Sequence, residues 1–295
     1  MSKHYTIKMF RTDYNTNEKC LKAIFLNRYG KKFECPKCQT KGNWYLIESR
    51  KRFDCSCGFG LYPLAGTIFH KSETELKDWF YAIYLFASSR NGVAAKEIER
   101  QLGVTYKTAW RMAKQIRLLF AQGNQTLSGM VETDETYVGG KRRGKRGLGA
   151  EGKTIVFGMT ERKGKMKAQV VPNAKRETIF PILTSTIEKQ STVLTDELNI
   201  YRTVASHGYA HETVKHKIYE YVRGKVHTNS IEGFWSQLKR SLDGTHHAVS
   251  PKHLQTYVDE FVWRYNHRGE TLFPLLVAEV AKRCVSSVGS LVLKS

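Results

Sequence analysis

Three acidic residues stand in contexts that could carry metal-dependent chemistry: Asp134 in VETDETYVGG, Asp196 in VLTDELNIY and Glu232 in NSIEGFWSQLKR. Hard divalent cations such as Mg²⁺ take oxygen ligands, usually one or two carboxylates together with substrate phosphate oxygens. A pair of such ions clamps the attacking and leaving oxygens of a phosphodiester displacement. Asp196 and Glu232 are separated by 35 residues, and Lys239 follows Glu232 by seven positions, two helical turns further on. One carboxylate says nothing in a chain with 27 acidic residues, but three on separate elements could build such a site.

A second candidate centre is made of sulfur. Of six cysteines, four cluster as CPKC (Cys35, Cys38) and CSC (Cys55, Cys57). Two short pairs about 17 residues apart suggest a zinc ribbon, in which four thiolates close a tetrahedral shell around a structural Zn²⁺. CSC is one residue shorter than the common CxxC. Between the pairs, NWYLIESRKRFD alternates like a hairpin. Cys20 and Cys284 have no paired neighbour and read as core, and His70 reads as structural.

The whole chain must hold these groups and meet a substrate. At 295 residues with 41% hydrophobic content it is long enough for two or three globular domains. A formal charge of +21 attracts a polyanion, with nucleic acid the leading partner. No apolar run approaches the roughly 18 residues of a spanning helix, so no membrane partner is expected. The N-terminal MSKHYTIKMF lacks the apolar core of a signal peptide. The expected location is the cytoplasm, in association with the nucleoid.

The positioning elements follow from periodicity. Glu73–Ser89 reads as a core helix. In Gly92–Phe120, Ala94, Ala95, Ile98 and Leu102 mark one amphipathic helix, Gly103 a turn, Val104 a buried turn residue and Thr105 an N-cap, with a second helix over Tyr106–Phe120. This is a helix-turn-helix pattern, whose second helix enters a major groove, with Tyr106, Lys107, Thr108 and Arg111 at its exposed start. Ala121–Gly129 reads as a polar linker. Strands are expected over Met130–Val138, Thr154–Thr160, Met166–Pro172, Thr192–Thr195 and His211–Lys215, and helices over Lys175–Lys189, Asn199–Ser206, Asn229–Leu242 and Leu254–Asn266. Gly139–Gly152 carries Lys141, Arg142, Arg143, Lys145 and Arg146 among glycines, a basic loop suited to tracking a phosphate backbone. Strands first and then alternating strands and helices describe a mixed α/β sheet covered by helices. Asp134 then lies on the first strand and Asp196 at the end of the fourth. Glu135 points to the opposite face from Asp134. Lys239 and Arg240 lie two turns beyond Glu232, and Trp235, Trp263 and Tyr265 read as core.

CPKC with CSCG, AGTIFHKS (Ala65–Ser72), the helix-turn-helix, VETDETYVGGK, VLTDELNIY, HTNSIEGFWSQLKR and FVWRYNHR together resemble the zinc-ribbon DDE transposases of bacterial insertion sequences, and more distantly the Merlin transposons. The resemblance implies a ribonuclease-H-like catalytic domain and two Mg²⁺ or Mn²⁺ ions held by Asp134, Asp196 and Glu232. Some relatives use Asn as the third ligand, and Asn229 lies one turn before Glu232. Asn229 also suits an N-cap with Glu232 as its capping-box partner. The implied domains are a zinc-ribbon region over 1–72, a helix-turn-helix over 73–122, the catalytic domain over 130–275 and a C-terminal tail over 276–295.

The expected activity is that of a DNA transposase: recognition of terminal inverted repeats in double-stranded DNA, metal-dependent cleavage to a 3′-OH, and transfer of that 3′-OH to a target phosphodiester. Joining two ends requires two sites, hence a homodimer or larger assembly on DNA. A DNA-binding regulator would share the ribbon, the helix-turn-helix and the charge but leave the acidic motifs idle. A structure-specific nuclease on the same fold would cut without joining.

Overall fold

The computed structural model describes residues 4–139, 153–196, 201, 204–213, 229–285 and 291–293, with backbone alone from residue 282. The chain forms two compact units, Met1–Leu119 with Gly269–Ser295, and Phe120–Arg268.

The first unit opens with helices α1 (Ile7–Asp13) and α2 (Asn17–Tyr29). Each is started by a threonine, Thr6 and Thr16, whose hydroxyl accepts a backbone N–H of the first turn. Strands β1 (Trp44–Ile47), β2 (Arg52–Cys55) and β3 (Gly60–Leu61) form an antiparallel sheet in that order. Phe53 of β2 stacks on Phe25 of α2 with ring centroids 4.1 Å apart, so the sheet rests on aromatic packing as well as on its cysteines. Helix α3 (Leu76–Ser88) buries Trp79, Phe80, Ala82, Ile83 and Phe86.

Helices α4 (Ala95–Leu102) and α5 (Tyr106–Leu118) are joined by three residues. Gly103 ends α4 at φ 66°, left-handed backbone that glycine adopts without a Cβ penalty. The Thr105 hydroxyl then accepts the Thr108 N–H and starts α5. Val104 is half-buried; Ile98 of α4 and Ala109, Met112, Ala113 and Ile116 of α5 supply the buried apolar side chains here.

The second unit is a mixed α/β layer structure. Strands β4 (Met130–Val138), β5 (Thr154–Glu161) and β6 (Met166–Val171) run antiparallel to one another. Helix α6 (Arg176–Thr186) follows, retaining Pro181 within it. Strands β7 (Thr192–Thr195) and β8 (Ala210–Thr213) then add parallel to β4, giving the order β6-β5-β4-β7-β8. The short helix expected over Asn199–Ser206 falls largely outside the described residues; among those described, a 3₁₀ turn spans Ala205–His207. Helices α7 (Asn229–Ser241) and α8 (Pro251–Asn266) complete the unit.

Strand alternation assigns the faces. Val131, Phe157, Met159, Val193 and the α6 residues Ile179 and Leu183 form one buried layer. Val156, Met166 and Ala168 pack with Ile231, Phe234, Trp235 and Leu238 of α7 and Leu254, Val258 and Phe261 of α8 in the other. Side-chain amides occupy the open edge of β6. Asn266 accepts from the Met166 N–H at 2.7 Å and donates to its carbonyl at 2.8 Å. Gln122 does both to Ala168, Gln125 donates to the Met166 carbonyl, and Gln255 accepts from the Val170 N–H. Residues 121–129, expected as a linker, are therefore fastened to this sheet, with Leu127 fully buried in its first layer.

Helix α9 (Leu272–Lys282) belongs to the first unit and packs on α2 and α3. Its Phe273 meets the rings of Tyr5, Phe10, Tyr14 and Tyr84 at centroid distances of 4.8–5.9 Å. The boundary drawn at residue 275 falls inside this helix. An antiparallel pair, β9 (Arg283–Val285) and β10 (Leu291–Leu293), follows. Among the described residues no helix is long and apolar enough to cross a membrane.

Candidate active site

Two centres are built from the residues singled out above. In the first unit, Cys35, Cys38, Cys55 and Cys57 bring their sulfurs within 4.8 Å of one another. Cys35 Sγ lies 3.6 Å from Cys57 Sγ, and Cys38 Sγ 3.5 Å from Cys55 Sγ. Four thiolates at the usual zinc–sulfur length of about 2.3 Å stand roughly 3.8 Å apart around a tetrahedral ion, so this donor set fits Zn²⁺. The short CSC spacing is absorbed by Gly58, which turns the chain at φ 84° and returns its N–H to the Cys55 carbonyl at 2.8 Å. Hydrogen bonding by the Thr40 side chain and backbone pulls the Cys38 thiol down to about 6. His70 stays apart, its Nδ1 accepting the Gly66 N–H at 3.3 Å.

On α5, Tyr106 and Lys107 are exposed and Thr108 is half-buried. Arg111 is exposed yet tethered: Nη2 donates to Ser72 Oγ at 3.0 Å, and its guanidinium lies over the Trp79 ring. Trp110, not singled out from the sequence, is exposed, with Lys114 5.4 Å from its ring centroid. Lys96 lies 5.0 Å from the centroid of the exposed Tyr106 ring.

The carboxylates lie in the second unit. Glu132 of β4 pairs with Leu194 of the parallel neighbour β7. Asp134 and Asp196 each stand two residues further along, at the same end of adjacent strands. Both are half-buried. Asp134 Oδ2 accepts from the Trp235 indole N–H at 3.0 Å. Trp235 packs closely on β5 because its neighbour there is Gly158, the register partner of Asp134. A Cβ on Gly158 would sit 2.6 Å from Trp235 Cζ2.

Burial pushes the Asp134 carboxyl up to about 6, and the charges of Asp196 and Glu232 push the same way, against hydrogen bonds from the Glu135 backbone and Trp235. A carboxyl raised by burial and by the charges of two neighbouring carboxylates is part of a donor set that a cation would relieve. The three carboxylates are not drawn as close as the thiols: among the described residues the cysteine quartet is the group of three or more ligand atoms found within 4.8 Å. Glu135 faces the opposite layer, accepting from the buried Tyr201 hydroxyl, and burial pushes it up to about 7.

Glu232 is exposed in the first turn of α7, with Asn229 exposed at the helix start. The first-turn amides of Ser230 and Ile231 donate to Glu132 Oε2 at 3.0 and 3.1 Å, so the acceptor seen at this helix start comes from β4. Lys239 and Arg240 are exposed further along the same helix. Lys141, Arg142, Arg143, Lys145 and Arg146 lie outside the described residues. Sequence reasoning missed Glu132, Gly158 and the bond made by Trp235; the one local hint is a glycine inside an otherwise apolar strand.

Two family models match the chain: the transposase zinc-ribbon domain over residues 15–58 and the ISXO2-like transposase domain over residues 126–266. The chain is also similar to an uncharacterized protein in transposable element ISH50 of Halobacterium salinarum, 28% identical over 253 residues, covering 78% of this chain and 84% of that protein. An uncharacterized transposase-like protein of Haemophilus influenzae is 28% identical over 105 residues, 36% of this chain and 84% of that protein.

Proposed function

We propose that this chain, an insertion-sequence transposase by its zinc-ribbon and ISXO2-like transposase domains, is a DDE enzyme that cuts DNA at the ends of its element and joins the resulting 3′-OH to a target. The observation that carries the reading is the placement of Asp134 and Asp196 at one end of two adjacent parallel strands, with Glu232 on a helix hydrogen-bonded to the first of them. The strand order β6-β5-β4-β7-β8, three antiparallel then two parallel, supports a ribonuclease-H-like catalytic domain.

Asp134, Asp196 and Glu232 would hold Mg²⁺ or Mn²⁺, with Asn229 the competing third ligand. Such cations supply charge neutralisation and orientation at the phosphodiester. The chain contributes the rest. The Trp235 indole N–H fixes one oxygen of Asp134. Water adds to phosphorus and the 3′-oxygen leaves as a hydroxyl. In the second step that hydroxyl adds to a target phosphorus and displaces a target oxygen. Lys239 and Arg240 would hold the flanking phosphates.

Helices α4 and α5 would act as a helix-turn-helix on the terminal repeats, with Tyr106, Lys107, Thr108 and Arg111 at the groove and the ribbon beside them. Lys141, Arg142, Arg143, Lys145 and Arg146 would follow the DNA backbone. Two copies would hold two ends, at the nucleoid in the cytoplasm. The test is incubation of the purified protein with Mg²⁺ and the DNA flanking its gene, followed by sequencing of products. Joined ends are expected, and should vanish in Asp134→Ala, Asp196→Ala and Glu232→Ala while DNA binding persists. Binding without nicking in any divalent metal would make the chain a regulator, and cutting without joining would make it a nuclease. Retained nicking by Glu232→Ala with loss in Asn229→Ala would move the third ligand to Asn229.

A further inference from the structure

Glu132 is a fully buried carboxylate that the mechanism above does not use. Among the described residues, four donors meet it at hydrogen-bond distance. Oε2 accepts the backbone N–H groups of Ser230 at 3.0 Å and Ile231 at 3.1 Å. Oε1 accepts from Ser230 Oγ at 3.1 Å and Arg162 Nε at 3.3 Å. An ionised carboxylate offers about four lone-pair directions. A burial this complete is tolerable for a charge only when it is paired and hydrogen-bonded. Both conditions are met: the Arg162 guanidinium supplies the opposite charge, and the positive end of the α7 dipole supplies the rest.

Its location gives this arrangement a consequence. Glu132 and Asp134 are two residues apart on β4, on the same face and roughly 7 Å apart along the strand. Ser230 and Ile231 immediately precede Glu232 in the first turn of α7. The carboxylate thus ties the strand bearing the first acidic residue to the turn bearing the third. A helix N-terminus left open would bind an anion such as a DNA phosphate; here a residue of the chain itself fills it.

We infer that Glu132 is a positioning residue that clamps the first turn of α7 to β4 and so sets where Glu232 stands relative to Asp134. The inference rests on the proposed DDE reading for its catalytic meaning, but the clamp is testable without it. Having its acceptor directions filled separates Glu132 from the metal ligands.

The experiment uses the full chain with Glu132→Gln, which keeps shape but turns one acceptor oxygen into a donor facing donors. Hydrogen exchange at the amides of Ser230 and Ile231 should speed about tenfold or more, the scale for losing a hydrogen bond to a charged group, while exchange at Leu238 stays as in the parent. The Mg²⁺ concentration for half-maximal cleavage should rise about 10–100-fold, as when a partner of a metal ligand is removed, with the rate at saturating metal restored to within a few-fold. Unchanged exchange at Ser230 and Ile231 overturns the clamp. Loss of cleavage at every metal concentration with unchanged exchange would instead make Glu132 a ligand. Should Glu132→Gln fail to fold, Ser230→Ala removes one donor only. It should shift exchange and metal demand in the same direction by less, and no shift in either would equally overturn the inference. A parent protein that cuts no DNA would sink the DDE reading, and the exchange measurement would still decide the clamp.

Discussion

Gly158→Ala offers a test in which general propensity and this structure predict opposite signs. Glycine in a strand interior is weaker than alanine by about 0.5–1 kcal/mol, so an open site would gain stability from the substitution. Here the new methyl would meet Trp235 Cζ2 at 2.6 Å, Cη2 at 2.7 Å and Ile231 Cδ1 at 3.3 Å. Ring atoms of a side chain that is 4% exposed have no free direction in which to withdraw. Overpacking of this kind costs about 1–3 kcal/mol. Tilting the indole also weakens its hydrogen bond to Asp134, of a type worth about 1.5–3 kcal/mol. A net loss of roughly 2 kcal/mol is expected, read by native-state hydrogen exchange at β4 and β5, which isolates the second unit. Trp235→Leu removes the obstructing ring, so the same glycine change should cost about 1–2 kcal/mol less in that background, a coupling typical of touching residues. A Gly158→Ala protein as stable as its parent, or more so, refutes the argument that Trp235 is seated by the absence of a side chain at Gly158.

Three further outcomes follow from features above. Purified protein should contain one zinc ion per chain by metal analysis, and Cys55→Ser or a strong chelator should abolish the cooperative unfolding of residues 31–62, since a structural zinc contributes directly to folding. Without divalent metal, stability should fall as pH rises from about 4 to about 6, because over that window the folded Asp134 keeps a proton the unfolded chain has released. Glu135 extends the decline to about pH 7, and thermal melts at pH 5 and 8 should show Mg²⁺ restoring stability at the higher pH only. Asn266→Ala leaves the Met166 N–H without its side-chain acceptor, while Gln125 still donates to the carbonyl, so urea melts should show a loss of about 1–3 kcal/mol.

What could be read from the sequence was what repeats locally. Period-two patterns marked the strands, the Gly103 to Thr105 turn marked two helices, and paired cysteines marked the ribbon. The placement of Asp134 within a strand and of Asp196 just past the end of another was legible from the same patterns, and the strand order puts these two positions at one end of adjacent strands. Glu132 was not, since in VETDET nothing distinguishes it from its acidic neighbours until a helix about a hundred residues later docks its amides there. Residues 121–129 read as a linker because they are polar, yet Gln122 and Gln125 are polar in order to pair a strand edge. Helix α9 read as catalytic domain and tail because an apolar helix does not name its partner, and its partner lies at the other end of the chain.

That return of α9 bears on how the protein is made. Phe273 closes the aromatic cluster of Tyr5, Phe10, Tyr14 and Tyr84, so the N-terminal unit cannot finish folding while its chain is being synthesised. It must wait until the entire second unit and α9 have left the ribosome. A product broken off before α9 would then lack the ring that closes this aromatic cluster. A translation-coupled protease assay should show the first unit becoming resistant only after residue 282 has emerged.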